Sequence, residues 1–263
     1  MAQNIRWKAM PVDFHSHVLP GMDDGSKDAA QSMAMLEQAK QQGTDVMVAT
    51  PHFYAENETP DSFLKRRAAA AEQLLDAGYD TKKHSRILLG AEVAYFPGIG
   101  RCEELASLSI VGTRMILIEM PFRPWTQTML DDLYSIQINL ELIPVLAHIE
   151  RYPDMRHAAM IKRMIHRGIL LQINASMADG YLKRRRALRL LINGDVQLLG
   201  SDCHNMTTRQ PGMGNMLNYI CQHTPQDFIP QMVEFNRFLL QGAVPIEKTS
   251  QAYKNNEGVN ALT

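Results

Sequence analysis

Short apolar runs alternate with longer stretches of helical periodicity along most of the chain, and this pattern predicts strands and helices in turn. Val12 to His17 reads as a strand, and Asp28 to Gln42 as a helix that Gly43 ends. Asp45 to Thr50 is a strand bounded by Pro51, and Asp61 to Asp76 a helix followed by Gly78. Arg86 to Ala94 and Met115 to Met120 read as strands, the latter stopped by Pro121. Thr126 to Leu142 is a helix, Ile143 to His148 a strand, Met155 to Arg167 a helix and Ile169 to Asn174 a strand. Lys183 to Asn193 follows as a helix and Val196 to Ser201 as the seventh strand. Seven strands alternating with helices predict an α/β fold of parallel βα units, closed or nearly closed into a barrel. A single domain is expected over 1–247, with 248–263, polar and uncapped, as a flexible tail.

Composition narrows the setting. The 263 residues are 45% hydrophobic and 21% charged, ordinary proportions for a soluble globular protein. A formal charge of −1 excludes bulk attraction to nucleic acid or an anionic membrane as the organising force. An anionic substrate must therefore meet a local positive site. Cys102, Cys203 and Cys221 form no C-x-x-C pair and read as reduced thiols, which points to the cytoplasm. Met1 to Met10 carries no apolar signal region, and no run approaches the roughly 18 apolar residues of a membrane span. Seventeen methionines, among them Met33, Met35, Met160 and Met164, read as core packing.

The chemistry gathers at the predicted strand ends, where α/β barrels keep their active sites. Asp13, His15 and His17 stand at i, i+2 and i+4, a spacing that predicts one shared face, with Val12, Phe14 and Ser16 on the other. The second strand runs into His52, the third into Glu92, the fourth into Glu119 and the fifth into His148. The seventh ends at Asp202 and His204. Imidazole and carboxylate donors without thiolates suit divalent manganese, iron or zinc. Such a cluster predicts hydrolysis of a phosphate ester, because bound ions make hydroxide available near neutral pH and neutralise phosphoryl oxygens.

Asp13-Phe-His-Ser-His17 and the following Leu-Pro-Gly-Met-Asp23-Asp24-Gly25 resemble the opening of the polymerase and histidinol phosphatase (PHP) superfamily. Ala49-Thr-Pro-His52-Phe, Gly90-Ala-Glu92-Val, Ile118-Glu119-Met-Pro, Ala147-His148-Ile-Glu-Arg151-Tyr and Ser201-Asp202-Cys-His204-Asn narrow the likeness. Together they resemble the manganese-dependent protein-tyrosine phosphatases of bacterial capsule and exopolysaccharide loci, over roughly residues 10 to 245. The resemblance implies a distorted (β/α)7 barrel with three metal ions. His15, His17, Glu92 and Asp202 would bind the first; Glu92 would bridge to the second, completed by Glu119 and His148; Asp24, His52 and His204 would bind the third. Six positive charges would then face the carboxylates of Asp24, Glu92, Glu119 and Asp202, a surplus that favours a phosphate dianion. Arg151 and Arg209 would hold the phosphate. The implied substrate is a phosphotyrosine protein, a tyrosine kinase of polysaccharide export, with no nucleic acid and no membrane insertion. Where the family often has proline after the fifth-strand histidine, this chain has Ile149. Asp13 is expected to orient a histidine rather than bind metal, and Asp23 to serve a turn.

Other readings compete. Cys203 and Arg209 match the C-x5-R spacing of cysteine-dependent tyrosine phosphatases, but the loop has no glycine, and strand alternation turns Cys203 away from the metal-type residues. Lys183, Arg184, Arg185, Arg186 and Arg189 read as a solvated helix face before a docking surface. His84, His157, His166 and His223 read as surface or packing residues. Phe53, Tyr54, Phe122 and Trp125 follow strand ends, where stacking on a tyrosyl ring and ordinary loop packing both fit. A PHP phosphoesterase acting on a small metabolite of histidinol phosphate type, a nuclease, and a metal-binding regulator without catalysis are the alternatives.

Overall fold

In a computed structural model, residues 11–152 and 155–249 are described. The chain folds as a mixed α/β protein around curled parallel sheet. One sheet orders β1 (Val12–Ser16), β2 (Val46–Ala49) and β4 (Arg86–Leu89) side by side. The other runs β3 (His52–Phe53), β5 (Glu92–Ala94), β6 (Met115–Glu119), β7 (Ile143–Leu146), β8 (Leu170–Asn174) and β9 (Leu198–Gly200). Every strand pair among the described residues is parallel.

The sequence pattern over Arg86 to Ala94 predicts one strand, but the structure divides it into β4 and β5 at Gly90 and Ala91. Pro51 divides the neighbouring path in the same way, since it lacks an N–H for the ladder. Hydrogen bonds still cross the break, from the Gly90 N–H to Ala49 O (2.9 Å) and from the Glu92 N–H to Pro51 O (3.0 Å). The first strand also meets the last. Ser16 bridges Cys203, the His17 N–H donates to Cys203 O at 2.9 Å, and the Asp202 N–H to His15 O at 2.7 Å.

A bulge in β1 changes one expectation. Asp13 pairs with Met47 and Ser16 with Ala49, so three steps on β1 match two on β2. The alternation therefore flips inside the strand, as bulges beside active sites do. Asp13 and His15 do not share a face.

Helices α1 (Ala29–Gln41), α2 (Pro60–Asp76), α3 (Gln127–Asn139), α4 (Met155–His166) and α5 (Tyr181–Ile192) connect successive strand paths. Their ends follow local chemistry. Asp28 caps α1 by accepting the Gln31 N–H, and Gly43 at φ +88° takes the left-handed turn after it. Thr59 caps α2, where Pro60 needs no N–H partner. Helices α6 (Met213–His223) and α7 (Phe228–Leu239) lie beyond the alternation read from the sequence.

Apolar side chains form two layers. Met47, Leu89, Ile118, Leu146 and Leu199 pack with helix residues such as Leu36, Leu74 and Leu133. Val12, Phe14, Val48, Leu88, Leu117, Val145 and Leu198 form the second layer, closed by Leu239, Leu240 and Ala243. Of the methionines noted above, Met35 and Met164 are buried, and Met33 and Met160 pack against the first layer. The expected uncapped tail lies outside the described residues except for Lys248 and Thr249. Thr249 is buried, and its hydroxyl donates to Pro245 O at 3.1 Å. Residues 1–10 also lie outside the described residues. No described helix is long and apolar enough to cross a membrane.

Candidate metal centre

Glu92 is the hub of the site. Its Oε2 lies 3.1 Å from His15 Nε2, 3.3 Å from His17 Nε2 and 3.0 Å from His52 Nδ1. Its Oε1 lies 2.9 Å from His148 Nε2, which is 3.2 Å from Glu119 Oε1. Asp202 Oδ1 sits 3.6 Å from His15 Nε2 and 3.5 Å from His17 Nε2. Asp24 Oδ1, on an exposed loop residue, lies 3.6 Å from His52 Nε2 and 3.3 Å from His204 Nε2. All the sequence-predicted metal-type residues thus converge. Donor atoms cluster as His15, His17 and Asp202; as His17, Asp24, His52 and His204; and as His52, Glu92 and Glu119. These groups share His17 and His52, so the division is less strict than the resemblance implies.

Several partners hold the imidazoles in place. Asp23 Oδ2 is 2.7 Å from His17 Nδ1 and also accepts the His52 N–H at 2.8 Å. Gln172 Oε1 is 3.3 Å from His15 Nδ1 and accepts the His148 N–H at 2.7 Å. The Gln172 amide donates to Asn174 Oδ1 (2.9 Å), and the Asn174 amide donates to Asp202 Oδ2 (2.8 Å). Asp13 plays a different part from the one expected. It accepts the backbone N–H groups of Ser201 (2.7 Å) and His15 (3.2 Å), tying β1 to the end of β9, and makes no hydrogen bond to an imidazole among the described residues. Burial lifts its carboxyl to about 6 against those hydrogen bonds. Asp23, expected to serve a turn, accepts the Gly25 N–H (2.9 Å) and is also the carboxylate that holds a histidine.

Backbone shape contributes too. A Cβ on Gly200 would stand 2.5 Å from His15 Cβ and 2.7 Å from Gln172 Nε2, so only glycine lets the imidazole lie there. His148 (φ +33°) and Asp202 (φ +54°) occupy the left-handed region, which costs of order 1–3 kcal/mol each and clusters at functional sites. A single 3-10 turn, Ile149–Arg151, then carries Arg151 back toward the centre, and buried Ile149 serves as its apolar anchor. Asn205 Oδ1 accepts the N–H groups of Thr207 (2.9 Å), Thr208 (2.8 Å) and Arg209 (3.1 Å), folding Arg209 over the site.

Both arginines reach Asp202. Arg151 hydrogen-bonds one carboxylate oxygen, and Arg209 Nη2 lies 2.5 Å from the other. Each arginine stays 36% exposed, so its outer face is open to a ligand. Burial would raise the Asp202 carboxyl, but His15, His17 and Arg151 together hold it well below the carboxylate range. Glu92 is likewise held far down by His15 and His148 despite complete burial. Burial works against charge on His148, yet Glu119 and Glu92 push it up to about 9. His204 goes the other way, to about 4, through burial and the nearby charges of His17 and Arg209.

Cys203 is excluded from the chemistry. It is fully buried, and burial followed by the Asp13 charge drives its thiol far above the usual range. The basic run lies on α5, where Arg184 stacks over Tyr181 and Tyr219 at 5.7 and 4.9 Å, away from the cluster. His84 and His157 pack as buried residues, His84 against the Asp80 carbonyl and His157 against Trp125.

The donor set fits cations. His15 Nε2 and His17 Nε2 face each other at 3.1 Å, although neutral imidazoles with both Nδ1 atoms protonated have no proton to share there. Glu92 Oε2 and His204 Nε2 are buried without a hydrogen-bond partner among the described residues. Unpaired acceptors with neighbours at 3.0–3.3 Å are costly unless a cation joins them.

The chain is similar to known proteins. The sequence model of the family described as capsular polysaccharide synthesis, CpsB/CapC, matches residues 11–238. The chain is 30% identical to the tyrosine-protein phosphatase YwqE of Bacillus subtilis, over 87% of this chain and 91% of that one. It is 28% identical to the tyrosine-protein phosphatase CpsB of Streptococcus agalactiae serotype III, over 80% and 90%. A crystal structure from work on YwqE of Bacillus subtilis and CpsB of Streptococcus pneumoniae, described as metal-dependent tyrosine phosphatases, superposes with a TM-score of 0.75. The identity is 26%, over 89% of this chain and 95% of that one. A histidinol phosphate phosphatase from Lactococcus lactis shares the fold alone, at TM-score 0.50 and 14% identity.

Proposed function

This chain belongs to the CpsB/CapC family of capsular polysaccharide synthesis, and from that premise we propose how it acts as a metal-dependent tyrosine-protein phosphatase. The observation that carries the reading is the Glu92 carboxylate, set within 3.3 Å of four imidazoles. His15, His17, Glu92 and Asp202 would hold one ion, Glu92, Glu119 and His148 a second, and Asp24, His52 and His204 a third. Manganese suits these nitrogen and oxygen donors, as do iron and zinc. When bound, such ions supply a nucleophile at neutral pH and draw charge from phosphoryl oxygens.

The remaining steps belong to the protein. Asp23 and Gln172 fix which imidazole nitrogens face the centre. Arg151 and Arg209, anchored on Asp202, turn their outer N–H groups to the phosphate, whose geometry their planar forks match. The tyrosyl leaving group, with a pKa of about 10, departs with less proton assistance than an alkoxide. No strong general acid is required, and every histidine in the cluster is free to bind metal.

The two sheets are read as one distorted (β/α)7 barrel. Support comes from the bonds across Gly90 and Pro51 and from the Ser16–Cys203 bridge. Residues 1–247 are read as one phosphatase domain. The substrate is a phosphotyrosine protein in the cytoplasm, a tyrosine kinase that controls capsule or exopolysaccharide synthesis and export. Assay with manganese on phosphotyrosine peptides, histidinol phosphate and oligonucleotides tests this reading. Turnover confined to the peptides is expected, and preferential turnover of either other substrate would overturn it.

A further inference from the structure

Four aromatic residues follow the strand ends, and the structure separates them. Phe53 and Trp125 are core residues. Phe53 packs edge-on to Phe63 at 5.4 Å, and Trp125 donates to Pro121 O and lies 4.8 Å from Tyr152. Tyr54 and Phe122 are 37% and 65% exposed. Each borders the cluster: Tyr54 lies 5.4 Å from the His52 ring, and Phe122 6.3 Å from His148 at an interplanar angle of 13°. Phe122 is backed by Tyr152 at 5.5 Å, itself buried and pinned by a 2.7 Å hydrogen bond to Met120 O.

Resting on the phosphatase reading above, we propose that Phe122 and Tyr54 clamp the phenyl ring of phosphotyrosine and make the site selective for aryl phosphate esters. Topology supports the fit. β3 and β6 flank β5 on either side, so the strand ends that lead to Tyr54 and Phe122 lie on opposite sides of the strand that carries Glu92. Two sheet spacings separate their strands by roughly 9–10 Å. One aromatic ring in van der Waals contact with two others needs about 7 Å.

Depth favours the same ligand. Glu92, His15 and Asp202 are buried, so the phosphoryl group lies below the rim where the two rings stand. A phenyl spacer lets a phosphate reach that depth while its peptide backbone stays outside. The single carbon of a serine ester does not. An exposed phenylalanine stacked over a rigid support presents the apolar face that the spacer would cover, in the offset stacked geometry that aromatic pairs favour.

Steady-state kinetics on matched phosphotyrosine and phosphoserine peptides, with inorganic phosphate as inhibitor and metal content measured, test this. Phe122→Ala should raise KM for the phosphotyrosine peptide about tenfold or more with kcat little changed, and Phe122→Tyr should restore it. Phosphate inhibition should stay unchanged, because phosphate needs the cations and arginines but no ring. Wild-type KM in Phe122→Ala, or a phosphate constant that weakens in parallel with KM, would overturn the clamp. A wild-type protein inert toward phosphotyrosine would overturn the phosphatase reading itself, before any variant is made.

Discussion

The Oδ2 of Asp23 stands 2.7 Å from His17 Nδ1, and this contact sets the direction in which His17 presents Nε2. Burial opposes ionisation of Asp23, yet the His17 hydrogen bond and charge hold its carboxyl well below the usual range. A charge-assisted bond of this kind fixes both tautomer and ring orientation. Asp23→Asn should weaken metal affinity by about 10–100-fold, with activity recovering as metal is raised. Metal titration of activity checks this; an unchanged activation curve would reduce Asp23 to a turn residue.

Gly200 makes a second prediction. Because a Cβ there collides with His15 Cβ at 2.5 Å, Gly200→Ala should displace the imidazole or the strand. Overpacking of this kind costs typically ~1–3 kcal/mol. Lower thermal stability together with reduced metal content is expected, read by calorimetry and elemental analysis. Wild-type values in both would show that the strand shifts without cost.

Cys203→Ser should keep most activity, since the thiol is buried, protonated and turned from the centre. Alkylation of native protein at neutral pH should be slow at this position. A hundredfold loss of kcat with metal intact, about 2.7 kcal/mol of barrier, would revive the thiol mechanism.

Arg209 tests the division between holding metal and holding phosphate. It bonds Asp202 yet keeps an exposed face, so Arg209→Ala should lower kcat roughly 10²–10³-fold with metal retained. Arg209→Lys should recover only part, because an ammonium lacks the planar fork. Near-normal kcat in Arg209→Ala would leave Arg151 as the candidate phosphate clamp.

Much of this site was legible from residue placement. His52, Glu92, Glu119, His148, Asp202 and His204 fall at predicted strand ends, and the structure brings all of them together with His15, His17 and Asp24. What escaped the sequence was second contacts. Gln172 and Asn174 sit at i and i+2 in an otherwise apolar strand, at the one strand end assigned no chemistry. Paired amides in such a strand are the signal that marks them. The β1 bulge left no mark, because period-two spacing of Asp13, His15 and His17 looks regular whether or not the partner strand keeps pace. Division of the third strand at Gly90 was hidden by continuous apolar character on both sides, although the glycine itself signals a break. Helices α6 and α7 lay beyond the repeating pattern, and the closure of the inner layer by Leu239, Leu240 and Ala243 depends on contacts distant in sequence.

The most direct measurement is hydrolysis of a phosphotyrosine peptide before and after exhaustive chelation, with elemental analysis of the same preparation. Nine converging side chains, Glu92 at their hub, predict that activity falls to background as metal is removed and returns when manganese is added. An undiminished rate on protein shown to be free of metal would contradict metal-dependent catalysis at this site.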